Sequence, residues 1–479
     1  MGRMVRNSIR KEIGNAKFCI LIDESRDVSK KEQMVVILRF VDVDGFVQER
    51  FFDIIHVTDT SAMTLKNKLL SVLSPYNLEI ENIRGQGYDG ASNMRGQWNG
   101  LQALVLRDNP CAYYVHCYAH RLQLALVAAT REVVHIHEFF TQLTFVVNIV
   151  SASSKRHDQL QAAQAINIAN MIANDELQTG KGANQAGTLR RAGDTRWSSN
   201  FQSICSLMKM YDASYTVVSN IIDDGATYSQ RGDASAASKM LSSFEFIFIL
   251  HLMFEIMAIT NILCQALQSR SQDILNAMHL VSTTKSLLQQ LRNDGWPNLL
   301  ENVKLFCLKH EIEIPDMSAQ YVLGRGRSRH MNLLMCYINY ICRLAKNFYP
   351  HDFTEQEMIH LRLQLRHYMF DIHQHQIFQN IATLSELCKK LTESGKSKNY
   401  HLIDRLIRLI LTLPVSTATT ERAFSAMGVV KTRLRNKMDD DFLANSLVVY
   451  IEKDIVIQFS SDSIMDEFES LGKRRVKFS

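Results

Sequence analysis

The stretch Phe18-Cys-Ile-Leu-Ile-Asp-Glu-Ser25 decides how the first part of the chain folds. Its first five residues form a short, continuous apolar run, which is typical of a strand that is buried on both faces. Asp23 follows directly, and a carboxylate at the end of a buried strand needs a cation, a hydrogen-bond donor or a metal ion as its partner. Asp23 is therefore a candidate functional residue. The alternative is a strand-end residue that caps the amides around Ser25.

Mixed α/β structure extends outward from this strand over about the first 130 residues. Two runs rich in β-branched and aromatic residues, 34–41 and 51–57, lie on either side of the turn signal Asp42-Val-Asp-Gly45. This pattern predicts an antiparallel meander of three strands. From about residue 135 to 410, apolar residues recur instead at the three- and four-residue spacing of helices. The predicted fold class is an α/β core interrupted by a large all-α insertion.

The totals fit a large globular chain. Its 479 residues are 46% hydrophobic, with only 20 Gly and 6 Pro. That is enough apolar material for one large domain or several smaller ones, and it excludes low-complexity classes. The formal net charge of +5 is compatible with nucleic acid and equally with a balanced surface. Nine cysteines without paired CxxC spacing indicate a reducing intracellular compartment.

One apolar stretch, 244–263, has the length of a membrane span. It contains Glu245, His251 and Glu255, and an acidic residue near the middle of a membrane costs roughly 2.5–3.5 kcal/mol. A buried helix of a soluble domain is therefore predicted, and no membrane partner is expected.

A second acid, Asp89, lies in a glycine-rich segment. Gly85-Gln-Gly-Tyr-Asp-Gly90 matches the letters of a dinucleotide-binding motif, which needs an apolar strand before it and a helix opening within it. Here Glu81-Asn-Ile-Arg84 precedes it, and Gly96 and Gly100 follow and disfavour a helix. A dinucleotide site is therefore rejected. Asp89 is left on a loop whose glycines let a backbone or phosphate come close, with a simple turn residue as the alternative.

A third acid, Glu421, lies far along the chain in Leu413-Pro-Val-Ser-Thr-Ala-Thr-Thr-Glu-Arg-Ala-Phe-Ser425. Pro414 ends the preceding helix, and the Ser/Thr run can cap a new one whose first turn contains Glu421. The helix dipole favours an acid there, which is a sufficient structural reason for it. Composition and spacing alone do not select Glu421 as catalytic.

Five short motifs carry a family resemblance. In chain order they are Ile22-Asp-Glu-Ser25, Gly87-Tyr-Asp-Gly-Ala-Ser-Asn93, His116-Cys-Tyr-Ala-His120, Asp194-Thr-Arg-Trp-Ser198 and Thr420-Glu-Arg-Ala-Phe-Ser425. Together they resemble hAT-type DNA transposases, in the branch with a TTF-type (MYM-like) zinc finger ahead of the catalytic domain. The resemblance spans about residues 15 to 457. It implies an RNase H-like (retroviral integrase-like) core.

The resemblance also implies an active site. Asp23, Asp89 and Glu421 would be catalytic and would hold two divalent metal ions, Mg²⁺ or Mn²⁺, which suit hard oxygen ligands. Such ions activate water or a 3′-hydroxyl and stabilise the leaving oxygen of a phosphodiester. The expected activity is metal-dependent DNA cleavage and strand transfer.

The implied organisation has four parts. Residues 1–134 are the first part of the core, 135–410 the helical insertion, 411–457 the C-terminal core helix with the hAT dimerisation region, and 458–479 a basic tail. The expected partners are DNA and a second copy of the chain, in a homodimer or higher oligomer. Nuclear localisation is expected from the DNA role.

Further residues are expected to contact DNA. Trp197, beside Arg196, would stack on a base flipped out near the cleavage site, with a core Trp as the alternative. Cys117 and His120 have CxxH spacing, but a zinc site needs a second nearby pair, which is missing. The resemblance implies instead that they support the active site and the DNA end. Two basic segments are phosphate-contact candidates, with a solvated charged face as the alternative. Their residues are Arg325, Arg327 and Arg329, and Lys431, Arg433 and Arg435.

The C-terminal region carries apolar side chains that could pack against another chain or against its own core. They are Phe424, Met427, Leu434, Phe442, Leu443, Leu447 and Val448. Periodicity does not decide between the two, so both possibilities stay open.

Three functions follow from the sequence. The first is a cut-and-paste transposase, and the second is a domesticated, catalytically inactive protein that keeps the fold for DNA binding and dimerisation. The third, another RNase H-like nuclease, ranks last because such nucleases lack the long helical insertion. The zinc finger of the resembling family does not precede the first strand. A fragment, a truncated product or a domesticated derivative is therefore expected.

Overall fold

A computed structural model of the chain describes residues 1–174, 187–191, 197–269, 272–315, 337–374, 378, 381 and 383–470. The fold forms two compact units. The first, called here the sheet unit, comprises Met1–Arg121, Ala266–His279 and Ser328–Ser479. The second, the helical unit, comprises Leu122–Gln265 and Leu280–Arg327.

A five-stranded mixed sheet forms the centre of the sheet unit. Its strands are β1 (Phe18–Arg26), β2 (Glu32–Val41), β3 (Val47–Val57), β4 (Ile83–Tyr88) and β5 (Tyr113–His116). They lie in the order β3-β2-β1-β4-β5. The first three strands pair antiparallel, as predicted, and β4 and β5 run parallel to β1.

Helices make up most of the rest of the described chain. In chain order they are α1 (Gly2–Ile13), α2 (Ala62–Leu73), α3 (Ser92–Arg95), α4 (Leu101–Asp108), α5 (Tyr118–Glu132), α6 (Val134–Val150), α7 (Ser154–Ala173), α8 (Trp197–Lys209), α9 (Tyr211–Asp224), α10 (Tyr228–Leu241), α11 (Phe244–Leu267), α12 (Ile274–Asp294), α13 (Trp296–Lys309), α14 (Tyr337–Phe348), α15 (Glu355–Gln374), α16 (Leu384–Glu393), α17 (Lys396–Asn399), α18 (His401–Thr412), α19 (Ala418–Val430), α20 (Asp440–Ile451), α21 (Lys453–Val456) and α22 (Ser461–Ser470). Short 3-10 turns occur at Ser74–Tyr76, Ile80–Asn82 and Arg433–Arg435.

The connection between α18 and α19 lies directly on the sheet, and two glycines of β4 make room for it. A Cβ atom at Gly87 would lie 3.0 Å from Pro414 and 2.8 Å from Leu21, and one at Gly85 would lie 2.2 Å from the Cys19 sulfur. The glycines of the apparent dinucleotide motif therefore serve close packing inside the core.

A buried ion pair holds the end of α19 to the turn after β1. The Nζ of Lys431 donates to the Oδ2 of Asp27 at 2.7 Å, and both side chains are 0% exposed. Ser29 and Gln33 also donate to the Asp27 carboxylate. Burial alone would raise the pKa of Asp27, but these donors, led by Lys431, hold it well below its usual range. The pair joins two parts of the chain that are 404 residues apart in sequence.

A second buried polar network lies under β2 and β3. Arg39 and Glu49 face each other across the two strands and form an ion pair of 2.7 Å, with side chains that are 1% and 5% exposed. Arg39 also donates to the carbonyl oxygen of Leu411, and Glu49 accepts from the hydroxyl of Thr419. The network therefore fixes both sides of the α18–α19 connection.

The C-terminal apolar surface is divided between two environments. Leu443, Leu447 and Val448 are 0% exposed and belong to the same core as α1 and the sheet. Leu434 is 97% exposed and Phe442 is 59% exposed. Leu443, Leu447 and Val448 therefore pack against the chain's own core, while for Leu434 and Phe442 the contact with another chain stays a prediction.

The helical unit has its own apolar core. Helix α11 contributes Phe246, Ile247, Leu250 and Met253 to it. Helix α11 is long and apolar enough to span a membrane, with a mean hydropathy of 2.1, but half of its most apolar stretch is buried. The bent pair α5 and α6 reaches that length and apolarity only when the two helices are taken together. The packing of α11 supports the prediction of a buried core helix.

The boundaries of the compact units differ from the predicted domain boundaries. The sequence predicts one helical insertion over residues 135–410, whereas the chain from Ser328 onward belongs to the sheet unit. Helices α14, α15, α16 and α18 contribute to an apolar cluster that includes Val41 of β2. Helical periodicity shows that a helix has an apolar face but does not show which element covers that face.

Lys431→Met is expected to destabilise the fold by about 3–5 kcal/mol, because it leaves the Asp27 carboxylate buried without its cation. The midpoint of urea denaturation, followed by circular dichroism, measures the change. Lys437→Met makes the same chemical change at an exposed position of the same segment. It is expected to change stability by less than about 0.5 kcal/mol. Equal stability losses in the two variants would contradict the importance of the buried pair.

Candidate carboxylate site

Two of the predicted acids are brought together by the pairing of β1 with β4. Leu21 pairs with Gly87 in parallel register, so two residues further along Asp23 comes beside Asp89, the first residue after β4. Side chains alternate between the faces of a sheet, which places both acids on the face that packs against Pro414. The first two predicted site residues are therefore neighbours at the carboxyl end of the sheet.

The third acid, Glu421, lies in the first turn of helix α19 and is exposed. The hydroxyl of Thr420, one residue earlier, lies 3.1 Å from the Oδ2 of Asp23 and 2.6 Å from the carbonyl oxygen of Thr417. The N-terminal end of a helix carries a partial positive charge that favours nearby carboxylates. The start of α19 is thus docked onto the acid end of β1.

The acids share one electrostatic environment. Burial raises the pKa of Asp23 to about 7, and the charge of Asp89 and, to a smaller extent, that of Glu421 add to the effect. Hydrogen bonds from the Glu24 backbone N–H and from Thr420 act in the opposite direction. An acid held this way is stabilised by losing its charge or by gaining a cation. Such a cluster is suited to binding a cation.

The acids do not by themselves form a closed metal cage. Within the described ranges, no three His, Cys, Asp or Glu side chains are grouped closely enough to hold a metal ion. Mg²⁺ is commonly bound through one or two carboxylates together with waters and substrate phosphates. The adjacent Asp23 and Asp89 fit that kind of open site better than an all-protein cage.

Cys117 ties the site elements together. Its sulfur accepts hydrogen bonds from the backbone N–H groups of Thr417 and His120, each at 3.4 Å. Its own N–H donates to the carbonyl oxygen of Tyr88 at 3.1 Å, and burial raises the pKa of the thiol. Cys117 is 3% exposed, which suits the expected support of the active site. The DNA contact expected from Cys117 and His120 stays a prediction.

Two residues that the sequence analysis does not select also lie at the site. Burial raises the pKa of Glu24 to about 7. The Nδ2 of Asn93 links the Oε2 of Glu24 at 3.1 Å to the carbonyl oxygen of Thr60 at 2.8 Å. His116 ends β5 with its Nε2 buried and without a hydrogen-bond partner, and burial and then His120 lower its pKa. Glu24 and His116 both lie inside the quoted family motifs. Those motifs are the sequence signal that could have identified them.

The predicted DNA contacts differ in outcome. The prediction for Lys431 is wrong, because its side chain is fully buried and paired with Asp27. Arg433 and Arg435 are exposed, so their phosphate contacts stay predictions. The other predicted positions, together with the side chain of Trp197, lie outside the described residues; they are Arg196, Arg325, Arg327 and Arg329.

Two regions of the chain match known families. Residues 1–100 match the family described as ZMYM1/FAM200, RNase-like domain. Residues 364–455 match the hAT family C-terminal dimerisation region. The chain therefore carries an RNase-like domain and a hAT dimerisation region, and its resemblance to hAT-type proteins of the MYM-like branch is confirmed. Asp23 and Asp89 lie in the first region and Glu421 lies in the second.

A human protein, the "52 kDa repressor of the inhibitor of the protein kinase", is similar to the chain. The two are 20% identical over 295 residues, which cover 60% of this chain and 37% of the human protein. The similar part is thus little more than a third of that relative.

The stability of the cation-free chain is expected to fall as pH rises from about 4 to about 7. The pKa of Asp23 is about 7 in the fold against an ordinary value of 3.8. A raised pKa contributes stability that is full below the ordinary value and is lost as pH rises through the folded value. Urea denaturation in EDTA across this pH range measures the decline.

Asp23→Asn together with Glu24→Gln is expected to flatten the decline, because neutral amides do not ionise. Asp44→Asn, at an exposed turn position, is the matched control and should leave the decline unchanged. A decline that is equally steep in the double variant would contradict the raised pKa values.

Proposed function

We propose that the chain is the core of a hAT transposase-like protein that cleaves and joins DNA with Mg²⁺ or Mn²⁺ held at Asp23, Asp89 and Glu421. The observation that carries the proposal is the side-by-side placement of Asp23, within β1, and Asp89, directly after the parallel strand β4, with the Glu421 helix docked on Asp23 through Thr420. The two family matches support it, because together they contain all three acids. A nuclear location is part of the proposal.

We also propose that the sheet unit is RNase H-like. Support comes from the match to an RNase-like domain and from the topology, in which an antiparallel meander is followed by two parallel strands. A further support is that a long helical segment separates the strands from α19, which packs back onto β1 and β2.

Each residue of the site has a distinct role in the proposed reaction. When bound, a divalent cation supplies activation of a water or 3′-hydroxyl and stabilisation of the leaving oxygen. Asp23 and Asp89 bind and orient it from neighbouring strands. Thr420 holds the Asp23 carboxylate by a hydrogen bond, and Glu421 adds negative charge from the helix start. Cys117 fixes that helix start against β4 and β5.

A second candidate is a dimerising DNA-binding protein without cleavage activity. Support for it is that the human relative is named as a repressor. Both candidates share the dimer.

We propose that a second copy of the chain covers the exposed apolar side chains of the dimerisation region. Leu434, Phe442 and Val429 are 97%, 59% and 60% exposed. They lie at residues within the matched dimerisation region. Burying such large apolar side chains contributes about 1.5–3 kcal/mol each, which supports a stable contact.

Asp89→Ala and Glu421→Ala are each expected to lower metal-dependent nicking or strand transfer by at least about 100-fold, because each removes a carboxylate from the cation site. A plasmid-nicking assay with Mg²⁺ or Mn²⁺ measures this. Asp44→Ala is the control, at an exposed turn, and should keep full activity.

A thermal shift on adding Mn²⁺ separates the two candidates. Cation-dependent stabilisation that is lost in Asp89→Ala, together with nicking, supports the transposase. Stabilisation without nicking on any DNA substrate would favour the inactive DNA-binding protein. No effect of Mn²⁺ on the unmodified chain would contradict the cation site.

Leu434→Glu and Phe442→Glu are each expected to convert the dimer to a monomer, because a buried unpaired carboxylate is costly at an apolar contact. Sedimentation velocity over a range of concentrations measures the change. Val43→Glu is the matched control, since Val43 is 81% exposed in the β2–β3 turn, and should leave the dimer intact. Dimers that persist in both variants would place the interface elsewhere.

A further inference from the structure

Trp98 is an aromatic side chain displayed at the surface, a short distance along the chain from Asp89 of the carboxylate site. It is 81% exposed and lies in the loop between α3 and α4, nine residues after Asp89. A Trp side chain offers a large contact area at a low cost in conformational entropy. The loop therefore presents a large unused contact surface.

The loop that carries Trp98 is firmly anchored. The N–H of Gly100 donates to the carbonyl oxygen of Gly96 at 3.0 Å. A Cβ atom at Gly100 would lie 2.4 Å from the Gly96 nitrogen, so the close turn requires glycine there. Arg107 donates to the carbonyl oxygen of Trp98 at 2.5 Å. Because these contacts hold the backbone, Trp98 is displayed by a fixed turn, as binding groups usually are.

Positive charge lies next to Trp98. Arg95 and Arg107 are both exposed. Burial raises the pKa of Tyr114 to about 12, and the charge of Arg95 acts against this shift. Burial lowers the pKa of His116, and the charge of Arg95 adds to that shift. Since the carbonyl oxygen of Asp89 accepts a hydrogen bond from Tyr114 at 3.2 Å, this charge lies close to the acid site. An aromatic ring flanked by cations fits the stacked bases and phosphates of a single strand of nucleic acid.

We propose that Trp98 is a stacking platform for an unpaired DNA base, with Arg95 binding a neighbouring phosphate. Trp98 is distinct from Trp197, for which base stacking is expected from the family resemblance. The choice of DNA rests on the proposed function. The platform would hold a single-stranded segment at the edge of the carboxylate site.

The test compares the affinity of the full chain for two labelled oligonucleotides, one single-stranded and one fully paired, by fluorescence anisotropy. EDTA is present, so that no cleavage occurs. Trp98→Ala is expected to weaken binding of the single strand about 5- to 140-fold, the range that corresponds to a stacking energy of roughly 1–3 kcal/mol. Binding of the duplex should be unchanged, and Trp98→Phe should retain most of the single-strand affinity.

Trp296→Ala is the matched control, because Trp296 is 47% exposed on the helical unit, and should leave both affinities unchanged. Equal single-strand affinities in Trp98→Ala and the unmodified chain would overturn the proposal. An equal loss of affinity for both oligonucleotides would also overturn it. So would a loss of self-association with no change in affinity for the single strand. The binding assay contains no divalent cation, so its outcome does not depend on whether the carboxylates are catalytic. Conversely, the outcome of the nicking assay does not depend on whether Trp98 stacks on a base.

Discussion

The buried ion pair between Lys431 and Asp27 connects the two ends of the sheet unit. Neither charge reaches solvent, so each depends on the other for its stability in the core. The network of Arg39, Glu49 and Thr419 holds the other end of α19 to the sheet. These two attachments, one at each end of α19, fix the position of its first turn on the sheet. The placement of Glu421 near Asp23 follows from that position.

Some of this arrangement can be predicted from the sequence. The apolar run before Asp23 and the turn at 42–45 define the antiparallel meander, because period and turn chemistry are local properties. The nearness of Asp89 to Asp23 depends on the β1–β4 pairing, which joins residues more than sixty positions apart. No local pattern encodes that pairing, so Asp89 and Glu421 were assigned through the family resemblance.

Lys431 shows why charged residues are hard to place from sequence. It occurs in a run with Arg433 and Arg435 and has the same chemical character, yet it is buried while they are exposed. Its burial is decided by Asp27, a partner 404 residues away. The same holds for apolar residues in the C-terminal region, where Leu443 is covered by the core and Leu434 is not. In both cases residue type alone does not show which residue is buried and which is exposed.

The distant origin of α19 has a consequence for synthesis of the chain. During translation the sheet and its first two acids emerge early, whereas Glu421, Thr420 and Lys431 emerge only after the long helical segment. Until then Asp27 lacks Lys431, and Arg39 has its ion pair with Glu49 but not its hydrogen bond to Leu411. A nascent or prematurely terminated chain therefore carries Asp23 and Asp89 on a core from which α19 is still missing. The order of synthesis itself delays assembly of the complete site until α19 and Lys431 have been made.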